Sequence, residues 1–110
     1  MLRDILIQLA GIDPRLMRGD PGAVIEELER MVLSLEELLE YREMYDNDSM
    51  SVRFHAATAL LNELRQEDAE SRGHFREAYE CTKGRLRALM SLAALRPVLL
   101  RHGPEPVIAA

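Results

Sequence analysis

Apolar residues between positions 24 and 45 recur at intervals of three and four, and this spacing most constrains the fold. It lasts for about six turns, which is the period of one helix face and excludes a strand. Asp20 followed by Pro21 supplies an N-cap residue and a proline at the first helical position. We therefore predict a long amphipathic helix that ends near the polar run 46–51. Its apolar positions are Val24, Ile25, Leu28, Met31, Val32, Leu35, Leu38, Leu39 and Tyr45.

Three further segments have helical spacing, and no segment alternates with the period of a strand. The first is a short helix over 2–10, ended by Gly11, with Leu2, Ile5, Leu6 and Leu9 on one face. A third helix starts at a cap, Ser49 or Ser51, and a fourth runs from about Phe75 to His102. The inner face of the third helix is predicted at Phe54, Ala57, Leu60, Leu61 and Leu64.

These helices predict an all-α fold: an antiparallel helical bundle of three long helices plus a short N-terminal helix. A chain of 110 residues is expected to form one domain over 1–103, with an extended tail at 104–110 that contains two prolines. The polar run 65–74 leaves two alternatives open. We favour an exposed turn around Gly73 over a solvated stretch of one long helix, because so polar a run has little to pack.

Charge is divided unevenly along the chain. Acidic residues outnumber basic ones nine to two over 26–48, and basic residues outnumber acidic ones six to two over 76–101. This division predicts that the second and fourth helices lie side by side. The net charge of −5 argues against general nucleic-acid binding. We expect no membrane contact and a cytoplasmic protein, because there is no signal peptide, no long apolar run and only one cysteine, Cys81.

The segment 86–100 is the most apolar part of the chain, and on a helix it forms two stripes on opposite sides. We expect the first stripe to be the core face, since it extends along the whole helix. This stripe contains Phe75, Tyr79, Thr82, Leu86, Met90, Ala93, Pro97 and Leu100. The second stripe contains Ala88, Leu92, Leu95 and Leu99. Arg87 and Arg96 lie between the two faces, where we expect their guanidinium groups to reach water.

A helix that is apolar on two faces has to bury both. The second stripe is therefore internal core under the N-terminal helix, a homodimer interface, or a docking site for another protein. We favour an interface formed by Ala88, Leu92, Leu95, Leu99, Arg87 and Arg96. Pro97 complicates this reading, because proline removes a backbone donor and can break the helix at Arg96.

The acidic sequence EELLE at 36–40 resembles one motif of the all-α nucleotide pyrophosphohydrolases related to MazG. Those enzymes hold Mg²⁺ with EExxE on one helix and ExxD on the next. The resemblance covers five residues and implies Glu36, Glu37 and Glu40 as metal ligands. The second motif departs from the family: Glu63, Glu67 and Asp68 stand in another register, and EMYD at 43–46 is on the same helix. We favour a solvated glutamate face as the simpler explanation of these residues.

No other motif predicts catalysis, and we expect no cofactor and no metal. The three histidines lack the spacing of metal ligands, and Cys81 is expected to be a small buried residue. The favoured function is a non-catalytic protein-binding protein, such as a regulator, antagonist or assembly chaperone of bacterial or phage origin, with itself or another protein as partner. The alternatives are a metal-dependent hydrolase and a structural component of a phage or secretion assembly.

Overall fold

The computed structural model describes residues 1–40 and 47–97. Within them the chain forms four α-helices, one short 3₁₀ helix over Leu16–Arg18, and no strand. This confirms the predicted all-α bundle of three long helices and a short N-terminal helix. The helices are α1 (Leu2–Ala10), α2 (Pro21–Leu39), α3 (Asn47–Ser71) and α4 (Phe75–Ala94).

The ends of α1 and α2 follow from single residues. Gly11 ends α1 with a φ of 73°, a left-handed conformation that glycine adopts without steric penalty. Asp20 caps α2, because its Oδ2 accepts a hydrogen bond of 3.2 Å from the backbone N–H of Ala23. The predicted start of α3 is wrong, since the helix begins at Asn47 and both candidate cap serines lie inside it.

Helix α3 is the centre of the bundle. It packs against α1, α2 and α4, whereas these three do not contact one another within the described residues. A central helix must be apolar on several sides, and α3 buries residues that point in different directions. These are Val52, Ala56, Ala57, Ala59, Leu60, Leu61 and Ala69. The prediction that α2 and α4 lie side by side is therefore wrong, because α3 separates them.

Ion pairs join α3 to two of its neighbours. On α1, Arg3 Nε lies 3.0 Å from Glu63 Oε2, and Arg3 Nη2 lies 2.7 Å from Glu67 Oε2. On α2, Glu29 Oε2 lies 3.3 Å from Nη2 of Arg65. Such partly exposed pairs contribute about 0–1 kcal/mol each. The negative charge of α2 is thus balanced in part by Arg65 of α3, and not by α4 as predicted.

A short turn connects α3 to α4. The polar run stays helical through Ser71, and residues 72–74 then reverse the chain at Gly73, whose φ is 75°. The backbone N–H of His74 donates a 2.8 Å hydrogen bond to the carbonyl of Ala69. The predicted turn around Gly73 is confirmed, but it is shorter than the polar run. The two helices form a hairpin, and this positions every side chain of α4 relative to α3.

Helix α4 is interrupted within its predicted span. The regular helix stops at Ala94, the N–H of Leu95 donates to the carbonyl of Leu92 in a tighter turn, at 3.0 Å, and Arg96 and Pro97 are helical again. Pro97 has no N–H and cannot donate to the carbonyl of Ala93, which is the physical reason for the interruption. The predicted end at His102, the predicted tail at 104–110 and Leu99 lie outside the described residues. No helix of the described ranges is both long and apolar enough to cross a membrane.

Candidate functional site

One face of α4 packs on α3, and we call it the inner seam. It consists of Ala78, Cys81, Ala88 and Leu92, all buried in the single chain. Ala88 and Leu92, two of the predicted interface residues, are 4% and 6% exposed and belong to the main core cluster. Leu95 is partly buried and packs against the same cluster. The prediction of these three as an exposed interface is therefore wrong: they are core.

The other apolar face of α4, which we call the outer stripe, points away from α3. It consists of Phe75, Tyr79, Leu86 and Met90, which are 71%, 62%, 50% and 72% exposed. Ala93 and Pro97 continue this line and are exposed too, while Thr82 within it is half-buried. This face was predicted to be the core face. In the structure the two faces of α4 have exchanged the predicted roles. The exposed apolar face is the one that carries Phe75, Tyr79, Leu86 and Met90.

Close packing of α3 on α4 explains the reversal. A Cβ atom built on Gly84 would lie 2.8 Å from Oδ1 of Asn62, so the two helices meet there with no room for a side chain. The amide of Asn62 is held in place because its Nδ2 donates to the carbonyl of Thr58 at 3.0 Å. Only small residues fit beside so close a contact. Further along α4, Leu89, Leu92 and Leu95 belong to the core or pack against it, while the large residues of the outer stripe are left on the other face.

The sequence did contain a signal for this arrangement. Ala78, Cys81, Gly84 and Ala88 are all small and stand three, three and four residues apart, which places them on one face of the helix. A mid-helix glycine within such a set is typical of close helix packing. The length of the first stripe predicted the wrong core face, whereas the distance to the neighbouring helix decided it.

Basic residues border the outer stripe on the side away from the inner seam. They are Arg76, Lys83 and Arg87, each within about 100° of the stripe when the helix is stepped at 100° per residue. Lys83 Nζ lies 5.1 Å from the centre of the Tyr79 ring and 3.5 Å from Glu80. Arg76 and Arg87 form no ion pair with the described residues. Their charge is therefore available to a partner.

Of the two arginines predicted to form part of an interface, Arg87 borders the outer stripe directly. Arg96 is also exposed, but it lies on the side of α4 nearer to α3. Both keep the exposed position that the sequence predicted. Only Arg87 is placed where a partner on the outer stripe would meet it.

An open depression at the hairpin tip continues the surface of the outer stripe. It is lined by Gly73, His74, Phe75, Arg76, Glu77 and Glu80. His74 Nδ1 lies 3.4 Å from Glu77 Oε2 across this region. The depression is shallow, so it can receive the end of a side chain from a partner.

The glutamates of the MazG-like motif are not assembled into a metal site. Glu36, Glu37 and Glu40 are exposed on α2, whereas Glu63 and Glu67 are paired with Arg3. Within residues 1–40 and 47–97, no group of three His, Cys, Asp or Glu side chains could hold a metal ion. The EMYD motif at 43–46 lies outside the described residues.

Two other titratable groups have shifted pKa values: Cys81, which is buried, and His55, which is half-buried. Burial raises the pKa of the Cys81 thiol, and the nearby carboxylate of Glu77 adds to this effect. Burial also lowers the pKa of His55, whose ring packs edge-on against Phe54 with 5.1 Å between ring centres. Both shifts favour the uncharged form, as expected for side chains that serve packing.

The arrangement of side chains on α4 thus offers apolar contact over the length of a helix together with a line of positive charge. Such a surface suits the docking of another helix. Comparisons of the chain with protein-family models, with curated proteins and with solved structures found no match.

Proposed function

We propose that this is a small, non-catalytic protein-binding protein that acts through the outer stripe of α4. A cytoplasmic regulator, antagonist or assembly chaperone fits this proposal. One observation carries it: four large apolar side chains lie in a line on a single helix, each half or more exposed. The predicted surplus apolar face is retained in the proposal, but its residues are now Phe75, Tyr79, Leu86 and Met90 in place of Ala88, Leu92 and Leu95.

Energetic considerations support binding at this face. Burying one such side chain stabilises a complex by roughly 1.5–3 kcal/mol before the entropy of association is subtracted. Scattered exposed apolar residues are ordinary, whereas a continuous patch is typical of an interaction site. From Phe75 to Met90 the stripe extends for about 22 Å, which matches four turns of a partner helix.

Site-specific photo-crosslinking tests the proposal. A photoreactive phenylalanine analogue replaces Tyr79 on the outer stripe, or Glu26, an exposed residue of α2, as a control. Each full-length protein is irradiated in a lysate of cells that express the chain, and its adducts are identified by mass spectrometry. We expect a discrete adduct from position 79 that disappears in the Leu86→Glu background, and no such adduct from position 26.

Two results would contradict the proposal. One is the absence of any discrete adduct at position 79 while the protein remains helical by circular dichroism. The other is an adduct at position 79 that persists unchanged in the Leu86→Glu background. A partner docked on the outer stripe depends on the apolar Leu86 at its centre, so a charge at this position should abolish the adduct.

A further inference from the structure

The spacing of the outer stripe is symmetric when it is read in either direction. Phe75 and Tyr79 are four residues apart, Tyr79 and Leu86 seven, and Leu86 and Met90 four. A second α4 running antiparallel, with its two-fold axis between Thr82 and Lys83, therefore places Phe75 opposite the partner's Met90. The same axis places Tyr79 opposite the partner's Leu86. In this arrangement each large apolar residue of the outer stripe lies opposite an apolar residue of the second copy.

The charges beside the stripe favour this same register. A two-fold axis perpendicular to an antiparallel helix pair brings the same edge of both helices together. Glu80 then falls between the partner's Lys83 and the partner's Arg87, each about 3 Å away along the helix axis. Arg76 and the partner's Arg87 are like charges on this edge, as are the two Lys83 side chains across the axis, and the two neighbouring Glu80 carboxylates offset their repulsion. Glu80 already lies 3.5 Å from Lys83 in the single chain, so its carboxylate is on the correct edge.

A parallel pair lacks this complementarity. In it the basic edge of one helix faces the opposite edge of the other, where Arg85 and Arg96 lie. Lys83 and Arg87 would then have the partner's Arg85 as their nearest charged neighbour, whereas Glu80 would lie about 7.5 Å from it along the helix axis. Like charges placed face to face are unfavourable at an interface.

We infer that the occupant of the outer stripe is a second copy of this chain, bound through an antiparallel α4–α4 contact centred between Thr82 and Lys83. This inference rests on the proposed function, since it names the partner of the same surface. It also predicts a close approach across the axis. For helices packed 8–10 Å apart, the two Thr82 Cα atoms come within about 6 Å, which a disulfide can span.

Oxidative cross-linking of the full chain tests the register. In a Cys81→Ala background, Thr82→Cys is expected to form a covalent dimer under mild oxidation. Ala93→Cys is the matched control, because it lies on the same stripe but about 30 Å from its counterpart in the antiparallel register. In a parallel pair the two Ala93 positions would be adjacent, so a covalent dimer of Ala93→Cys would overturn the inference.

Analytical ultracentrifugation of the purified full chain tests the dimer itself. We expect a dimer for wild type, a helical monomer for Leu86→Glu, and a several-fold tighter dimer for Arg76→Glu, which places a carboxylate beside the partner's Arg87. A wild-type monomer at about 100 µM would overturn the inference. If such a monomer shields a Met90→Cys thiol from labelling reagents, a segment of the same chain covers the stripe. A monomer that photo-cross-links to another protein from position 79 leaves the proposed function standing and removes only the second copy as occupant.

Discussion

The two apolar faces of α4 share one helix but have opposite surroundings. The inner seam is built from small residues and Leu92, and it is buried against α3. The outer stripe is built from Phe75, Tyr79, Leu86 and Met90, and it is exposed. The face with the larger side chains is thus the one without a neighbour in the described chain. The comparison teaches that side-chain bulk is a poor guide to burial when two helices pack closely.

Truncating a leucine on each face of α4 gives the largest expected difference in the free energy of unfolding. Leu92→Ala leaves a cavity in the core and should lower the free energy of unfolding by about 2–5 kcal/mol. Leu86→Ala, on the exposed stripe, should change it by less than about 1 kcal/mol. Urea denaturation followed by circular dichroism, at a concentration where the chain is monomeric, measures both. Equal losses at the two positions would show that both faces are buried.

Adding a leucine to each face gives an intermediate effect. Gly84→Leu forces a side chain into the contact with Asn62 and should lower the free energy of unfolding by about 1–3 kcal/mol, although leucine is the better helix former. Thr82→Leu makes the same addition on the outer stripe and is the matched control. We expect it to be neutral or mildly stabilising. A stable Gly84→Leu protein would contradict the close approach of α3 and α4.

Cysteine labelling reports the same contrast without a large change in stability. Cys81 is buried and its thiol pKa is raised by that burial, so at pH 8 a smaller fraction is thiolate than in the unfolded chain. Thiolate is the reactive form, and labelling of native Cys81 should therefore be slow. At a concentration where the chain is monomeric, a Met90→Cys thiol in the Cys81→Ala background should react at least about ten times faster, because position 90 is 72% exposed. Labelling of both proteins in urea supplies the control, and equal native rates would refute the assignment of faces.

The pH dependence of stability gives the smallest expected effect. It concerns His55 on α3, the helix against which the inner seam packs. The pKa of His55 is lower in the folded chain because of burial. The unfolded chain therefore binds more protons just below its own histidine pKa of about 6.5, and stability falls as the pH drops through that value toward the folded pKa. Thermal unfolding from pH 7.5 to 5.5 should show this slope in wild type and a reduced slope in His55→Gln. An unchanged slope would contradict it.

Much of the local structure could be predicted because single residues determine it. Asp20 and Pro21 begin α2, Gly11 ends α1, and Gly73 reverses the chain between α3 and α4, as each residue type favours. Pro97 limits the last helix for the same kind of local reason. The start of α3 was misplaced, because most residues of 46–51 are of types that can cap a helix and the sequence alone does not show which one does.

The candidate site was predicted only in part. Two apolar faces on α4 were recognised from spacing, and Arg87 was correctly expected to be exposed. The choice between the faces was wrong, since a helical period defines two stripes without showing which one has a neighbour. The sequence has apolar residues at the consecutive positions 59–61, and all three are buried in the structure. Consecutive residues of a helix point in different directions, so this run could have predicted that α3 is central.

By itself, the sequence determined an all-α chain, the helices within it, the turn at Gly73 and an excess of apolar surface on the last helix. These follow from residue period and from backbone preferences, which act over a few residues. Only the tertiary structure decided that α3 lies at the centre, that α2 and α4 are separated by it, and that Phe75, Tyr79, Leu86 and Met90 face outward. Those outcomes depend on how closely helices approach one another, and the contact of Gly84 with Asn62 is made between residues distant in sequence.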